Sequence, residues 1–261
     1  MERIKQAVEK ARSQQPKETG RFIQPNAAPA QGSGIPAELE YSQTRVVELQ
    51  AHHLEKNRIF AINRNAPTSV TFDLLRTQIL QKMEENNWRT IAITSPTPAV
   101  GKTVIAINLA ISIVQQTNRT AMLVDFDLRQ PKIGDYLGIP MEKSLNDLLE
   151  GGAELSEILV NPGIPRLVVA PTKNAVSNPS ETLSSRKISD LINEIRDRYE
   201  SRIIIFDLPS LLHSDDAIAI LPKIDCILMV VANGMSTKRE IEDSLRHLSK
   251  ANLIGTVFNK A

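Results

Sequence analysis

The sequence of 261 residues is 41% hydrophobic, which is enough to bury one large core with some length left over. Its formal net charge of +1 excludes the basic field expected of a protein that binds nucleic acid or anionic membrane. The single cysteine, Cys226, excludes an internal disulfide and is typical of a reducing compartment.

Apolar segments of the kind that target a chain or anchor it in a membrane do not occur in this sequence. The first residues lack the apolar region of a signal peptide, and no apolar run approaches the ~18 residues that span a bilayer. We therefore expect a cytoplasmic protein without direct membrane insertion. Recruitment to the inner face of the cell membrane would then come through a partner.

The chain is predicted to have three parts. Residues 1–15 predict a short amphipathic helix, because apolar side chains recur at helical spacing among mixed charges. Residues 16–37 are rich in proline, glycine, glutamine and serine, which predicts a flexible, disordered linker. Residues 38–261 make up the predicted folded domain.

Strands and helices alternate through that domain. The predicted strands cover residues 44–49, 90–94, 121–127, 166–170, 202–207, 226–232 and 253–258. The predicted helices cover residues 50–57, 69–85, 103–116, 143–149, 153–159, 184–200, 215–221 and 237–250. This alternation predicts an α/β fold with a doubly wound, mostly parallel sheet, in which ligands bind beyond the carboxyl ends of the strands.

The stretch from Thr90 to Ala110 is the centre of the predicted site. An apolar strand leads into a helix through the loop Ser95-Pro96-Thr97-Pro98-Ala99-Val100-Gly101-Lys102-Thr103, which is the layout of a phosphate-binding P-loop. The helix N-terminus favours phosphate, Lys102 adds positive charge, and Thr103 supplies a hydroxyl for Mg²⁺. The alternative is a Gly-Lys turn opening an ordinary helix, since Pro96 stands where the full motif has glycine.

Three carboxylates follow predicted strands at the same edge of the sheet. Asp125 and Asp127 end one strand and Asp207 ends another, while Ser95 and Asn259 fall at the same level. Carboxylates beside a phosphate site can hold Mg²⁺ directly or through water, or accept a proton from an attacking hydroxyl. The alternative is that each aspartate caps a following helix, which explains any one of them better than all of them together.

These segments resemble the bacterial tyrosine kinases of polysaccharide biosynthesis, P-loop relatives of the chromosome-partitioning and septum-positioning ATPases. The loop ending in Gly101-Lys102-Thr103 is similar to the family's Walker A motif, and residues 124–131 are similar to its Walker A′ motif. Its Walker B segment and three further segments match residues 206–210, Asp216-Ala217, residues 178–183 and the strand ending in Asn259-Lys260.

The resemblance implies a P-loop ATPase domain that transfers phosphate from ATP with Mg²⁺. The nucleotide would contact Thr97, Pro98, Ala99, Val100, Gly101, Lys102, Thr103 and, at the adenine, Asn259. Lys102 would act on the phosphates and Asp125 as the base, while Thr103, Asp127 and, through water, Asp207 would hold Mg²⁺. The implied partners are a transmembrane polysaccharide chain-length regulator, whose cytoplasmic tail activates the ATPase, and further copies of the chain.

The sequence departs from the family pattern in its tyrosines and in its loop. The family's tail is rich in autophosphorylated tyrosines, whereas this chain has Tyr41, Tyr136 and Tyr199. The expected acceptor is therefore another protein or Tyr41. Pro96 and Ala99 stand where glycines are common, which restricts how closely the loop can wrap the phosphates.

The resemblance leaves two other functions open. A positioning ATPase of the partitioning class would carry a signature lysine where this chain has Thr97. A nucleotide-binding adaptor without turnover would need no tyrosine-rich tail. The family's oligomerisation motif E-x-x-R-x-x-R aligns with Val70, Asp73 and Arg76, of which only the arginine matches, so the ring size is not predicted.

Overall fold

A computed structural model describes residues 44–63, 67–198 and 202–260, where eight strands form one sheet. The strands are β1 (Arg45–Val46), β2 (Thr90–Thr94), β3 (Thr120–Asp125), β4 (Val160–Asn161), β5 (Leu167–Ala170), β6 (Arg202–Asp207), β7 (Cys226–Ala232) and β8 (Leu253–Asn259). Their order across the sheet is β1-β4-β5-β3-β6-β2-β7-β8. Only β4 and β5 pair antiparallel among these neighbours, which confirms the predicted doubly wound, mostly parallel α/β fold.

Helices connect the strands. They are α1 (Ala51–Lys56), α2 (Pro67–Glu85), α3 (Lys102–Gln116), α4 (Ile133–Leu137), α5 (Leu145–Glu150), α6 (Leu155–Ile158), α7 (Pro179–Ser184), α8 (Arg186–Arg198), α9 (Asp216–Ile220) and α10 (Lys238–His247). Within the described residues, no helix combines the length and apolar character that crossing a membrane requires.

The core lies on both faces of the sheet. Successive strand residues point to opposite faces, so Ile91 and Ile93 of β2 pack with α1, α2 and α3, whereas Ala92 packs with α8 and α9. Phe126 and Phe206 stack on this second face with ring centroids 5.0 Å apart. Strands buried on both faces explain the continuous apolar runs in the sequence.

Several boundaries differ from the predicted ones. The strand predicted for residues 121–127 ends at Asp125, so Asp127 lies in the following loop. Of the strand predicted for residues 44–49, only Arg45–Val46 is assigned. The short elements α4, β4 and α7 were not predicted, because segments of this length give only a weak hydrophobic period. The predicted segments 1–15 and 16–37 lie outside the described residues.

One buried amide fixes the helix that follows the predicted P-loop. Asn108 of α3 accepts hydrogen bonds at 2.8 Å from the backbone N–H groups of Phe60 and Ala61. Its Nδ2 donates to the carbonyls of Arg58, at 3.0 Å, and Val104, at 2.8 Å. The amide is thus satisfied without water, and it ties the loop at residues 58–61 to α3.

Candidate phosphate-binding site

Gly101 is required by the geometry of the loop that precedes α3. Its φ of +99° lies in the region that favours glycine, and a Cβ there would lie 2.4 Å from Nδ2 of Asn259. The helix begins at the next residue, so its first N–H groups face the loop opening. This is the strand, tight loop and helix arrangement that the sequence predicts.

Ala99 has a φ of +63°, a left-handed conformation that costs alanine roughly 1–2 kcal/mol. The loop therefore takes a conformation that glycine ordinarily adopts, in spite of the alanine side chain. This strained residue lies in the loop that is predicted to bind phosphates.

Asn259, the last residue of β8, and Lys260, which follows it, hold this loop from the side. Asn259 Nδ2 donates to the carbonyl of Val100, and Lys260 Nζ donates to the carbonyl of Ala99, both at 2.8 Å. The sequence singled out Asn259 for adenine contact, which stays a prediction, and gave Lys260 no role. In this structure both side chains support the conformation of the loop.

Lys102, Thr103 and the three predicted carboxylates come together beside the loop. Lys102 Nζ lies 3.6 Å from Asp127 Oδ2, and Thr103 Oγ1 donates to Asp207 Oδ2 at 2.6 Å. Asp125 and Asp207 are register partners on the neighbouring strands β3 and β6. All five side chains are buried. The order of the strands therefore brings the predicted groups together at one buried site.

Burial raises the pKa values of all three carboxylates. The pKa of Asp207 rises to about 7, although Lys102 and the Thr103 hydroxyl oppose the shift. The pKa of Asp125 rises well above its usual range through burial and the charge of Asp207. The pKa of Asp127 also rises through burial, against the charge of Lys102. Burial therefore favours the protonated, uncharged form of these carboxyl groups, and a cation in the site would favour their ionised form.

Two carboxylate oxygens are left available for a ligand. Asp125 Oδ2 accepts hydrogen bonds from the N–H groups of Lys132 and Ile133, which is the capping role considered as an alternative. Asp125 Oδ1 and Asp207 Oδ1 are buried without a hydrogen-bond partner among the described residues. Buried oxygens of this kind fit a site that takes a hydrated cation.

A metal ion in this site would need oxygen ligands from outside the protein. In the ranges that the structure describes, no cluster of three or more His, Cys, Asp or Glu side chains could hold a metal. Mg²⁺ ordinarily binds through one or two carboxylates, several waters and substrate phosphates. The donor set of Thr103, Asp127 and Asp207 fits Mg²⁺ on that basis.

Of the three carboxylates, Asp127 borders a pocket of about 350 Å³. It is lined by Pro98, Ala99, Gly101, Lys102, Thr103, Asp127, Arg129, Gln130, Lys132, Tyr136, Pro209, Ser210, His213 and Ser214. The sequence did not predict that Tyr136, Lys132 or His213 would line this site. The sequence carries no local signal for these lining residues. The segment around α4 and the loop after β6 lie beside the P-loop only because of the order of the strands in the sheet.

Asp207→Asn is expected to stabilise the ligand-free chain at pH 8 by about 1–3 kcal/mol. Because the folded-state pKa of about 7 exceeds the ordinary value of 3.8, the folded chain binds more protons between these two pH values. The free energy of unfolding should therefore fall as the pH rises from 5 to 8, and less steeply in the variant. Urea unfolding at several pH values measures both slopes.

Asp190→Asn is the matched control for this prediction, because Asp190 is an aspartate on the exposed side of α8. It should leave the free energy of unfolding within about 0.5 kcal/mol of the wild-type value. Equal pH slopes for the wild type and Asp207→Asn would contradict the claim that the ionised, buried Asp207 carboxylate destabilises the folded chain.

Comparison with known proteins finds that the chain is similar to bacterial tyrosine-protein kinases. The chain is 28% identical over 214 residues to the tyrosine-protein kinase Etk of Escherichia coli K12, with 80% of this chain and 29% of that protein covered. It is 28% identical over 193 residues to the tyrosine-protein kinase Wzc of Salmonella typhimurium, with 72% and 26% covered. The chain thus spans little more than a quarter of the length of these relatives.

Solved structures are similar to this one. The kinase domain of Escherichia coli Etk superposes with a TM-score of 0.71 at 27% identity, over 77% of this chain and 79% of that one. The septum-site-determining protein MinD of Pyrococcus horikoshii, solved with Mg-ADP, gives 0.55 at 20% identity over 65% and 69%. The similarity to MinD shows the fold alone.

A family model described as an AAA domain matches residues 88–250. The match begins just before β2, includes α3 and all three carboxylates, and ends after α10. It therefore covers the P-loop and all of the residues that line the pocket. With more than half of its length matched, the chain belongs to the AAA domain family.

Proposed function

We propose that the chain binds Mg²⁺-ATP and transfers phosphate as a tyrosine-protein kinase that regulates exopolysaccharide biosynthesis, chain length or export. The observation that carries the proposal is the P-loop, in which Lys102 and Thr103 lie against Asp127 and Asp207. Its similarity to the Etk kinase domain over the same part of the chain supports the kinase assignment over other P-loop functions.

The loop and Lys102 would hold the phosphates of ATP. Thr97, Ala99, Val100 and Gly101 offer backbone N–H groups, and Lys102 offers a charge that its contact with Asp127 already orients. Thr103, Asp127 and, through water, Asp207 would hold Mg²⁺, which neutralises phosphate charge when bound. Asn259 would lie at the adenine, beside the loop carbonyl that it supports.

Asp125 would act as the base. Its raised pKa suits a group that accepts a proton from an attacking hydroxyl, and its Oδ1 is free of partners among the described residues. The two backbone N–H groups on Oδ2 hold the carboxyl in place during that transfer. Lys102 would offset the negative charge that develops on the transferred group.

The phosphate acceptor is proposed to be a tyrosine of another protein or Tyr41. Tyr41 and Tyr199 lie outside the described residues, so their distances from the site carry no argument. Tyr136, which packs on the core, also lines the pocket. It is therefore a third candidate acceptor, which the sequence did not single out.

A transmembrane chain-length regulator is the proposed activating partner. The isolated chain should hydrolyse ATP slowly, because a loop with a strained Ala99 and with Pro96 holds the phosphates less closely than a glycine-rich loop. A peptide from the partner's cytoplasmic tail should raise phosphate release roughly 10-fold, whereas a scrambled peptide should not. No increase with peptides from any regulator encoded nearby would contradict this partner.

Two alternative functions compete with the kinase. A positioning ATPase would share its fold with MinD, but Thr97 stands in place of the signature lysine of that class. An adaptor would bind ATP without releasing phosphate even with the partner present. Self-association is also proposed, although Arg76 bonds within its own chain to Asp73 and Ser112.

A further inference from the structure

Arg129 and Asp216 form a two-contact ion pair in the wall of the pocket. Arg129 Nε donates to Asp216 Oδ2 at 2.5 Å, and Nη2 donates to Oδ1 at 3.1 Å. Ser214 Oγ donates to Oδ2 at 2.8 Å, so both oxygens of the fully buried carboxylate are occupied. The Arg129 side chain is 48% exposed and lines the pocket beside Lys102.

The pair joins the two loops that carry the acidic groups of the site. Arg129 follows Asp127 by two residues in the loop after β3, and Asp216 begins α9 after the loop that leaves β6 at Asp207. The spacing between these loops is therefore set by a planar guanidinium held at two points. A lysine at position 129 could keep the charge but not this geometry.

The pair leaves part of the guanidinium available. Within the described part of the chain, the side-chain hydrogen bonds of Arg129 both go to Asp216, and the partly exposed side chain lines the pocket. Arg129 lines the pocket together with Asp127, whose Oδ2 lies 3.6 Å from the Lys102 ammonium. The terminal phosphate has to meet its acceptor in this part of the pocket, because the loop encloses the inner phosphates.

We propose that Arg129 contacts the terminal phosphate of the nucleotide and that Asp216 is a positioning residue that orients it. The inference rests on the proposed binding of ATP in this pocket. It predicts that the pair distinguishes ATP from ADP, since ADP lacks the phosphate that Arg129 reaches. Asp216 acts only through Arg129, so the two residues should behave as one unit.

The test compares Arg129→Lys, Asp216→Asn and the double variant with the wild type. Calorimetry gives the affinities for Mg²⁺-ADP and for a non-hydrolysable ATP analogue with Mg²⁺. Each single variant should lower the ratio of ATP-analogue affinity to ADP affinity roughly 10-fold, and the double variant should lower it no further. Arg119→Lys is the control, because Arg119 pairs with Glu84 away from the pocket and should leave the ratio unchanged.

Two results would overturn the inference while leaving ATP binding intact. One is an unchanged affinity ratio in both single variants. The other is an equal loss of affinity for both nucleotides, which is what a merely structural role of the pair would produce. A wild-type chain that binds neither nucleotide would overturn the proposed function together with this inference.

Discussion

Lys102→Ala is expected to weaken the binding of Mg²⁺-ATP about 100-fold or more, since a charged hydrogen bond to phosphate contributes about 1.5–3 kcal/mol and long-range attraction adds to it. Lys102 is buried, and it is the cation that lies 3.6 Å from Asp127 and opposes the rise in the pKa of Asp207. Removing it therefore leaves buried carboxylates facing the phosphates without compensation. Calorimetric titration with Mg²⁺-ATP measures the loss.

Lys82→Ala is the matched control, because Lys82 donates to the carbonyl of Ile254 outside the pocket. It should leave the affinity for Mg²⁺-ATP within about threefold of the wild-type value. Equal ATP affinity for the wild type and Lys102→Ala would show that the Gly-Lys turn opens an ordinary helix and that the nucleotide site has been misassigned.

Asp125→Asn should lower turnover at least about 100-fold and leave ATP affinity nearly unchanged, because it removes a base without removing the phosphate loop. The asparagine oxygen can still accept the hydrogen bonds from Lys132 and Ile133, so the local backbone should keep its shape. Steady-state phosphate release and calorimetry on the same preparation separate the two effects.

Asp190→Asn again supplies the control, with turnover expected to match the wild type. Unchanged turnover in Asp125→Asn would remove the catalytic role of this residue and would favour the capping role alone. Loss of ATP binding along with turnover would instead place Asp125 in the binding of the nucleotide or its cation.

The sheet and the centre of the site were predictable because their signals are local and strong. Strands buried on both faces give continuous apolar runs such as Thr90–Thr94 and Arg202–Asp207, and helical periods separate them. Parallel pairing then brings the strand ends together without further information. This is why the sequence alone suffices to group Lys102, Thr103 and the aspartates at one site.

The remainder depends on contacts between distant residues. Arg129 and Asp216 are 87 positions apart, and Lys260 reaches the loop at Ala99 from 161 positions away. No period or spacing in a single sequence reveals such pairs. The left-handed conformation of Ala99 was also not predictable, since alanine rarely adopts it unless surrounding contacts impose it.

The most direct test of the proposed kinase is transfer of phosphate from γ-labelled Mg²⁺-ATP in the presence of the activating partner, with phosphotyrosine identified by mass spectrometry. The wild-type chain should place label on tyrosine, on itself or on a second protein, and Asp125→Asn should not. ATP bound and hydrolysed by the wild type with no labelled tyrosine on any protein would contradict the kinase assignment and leave a positioning ATPase.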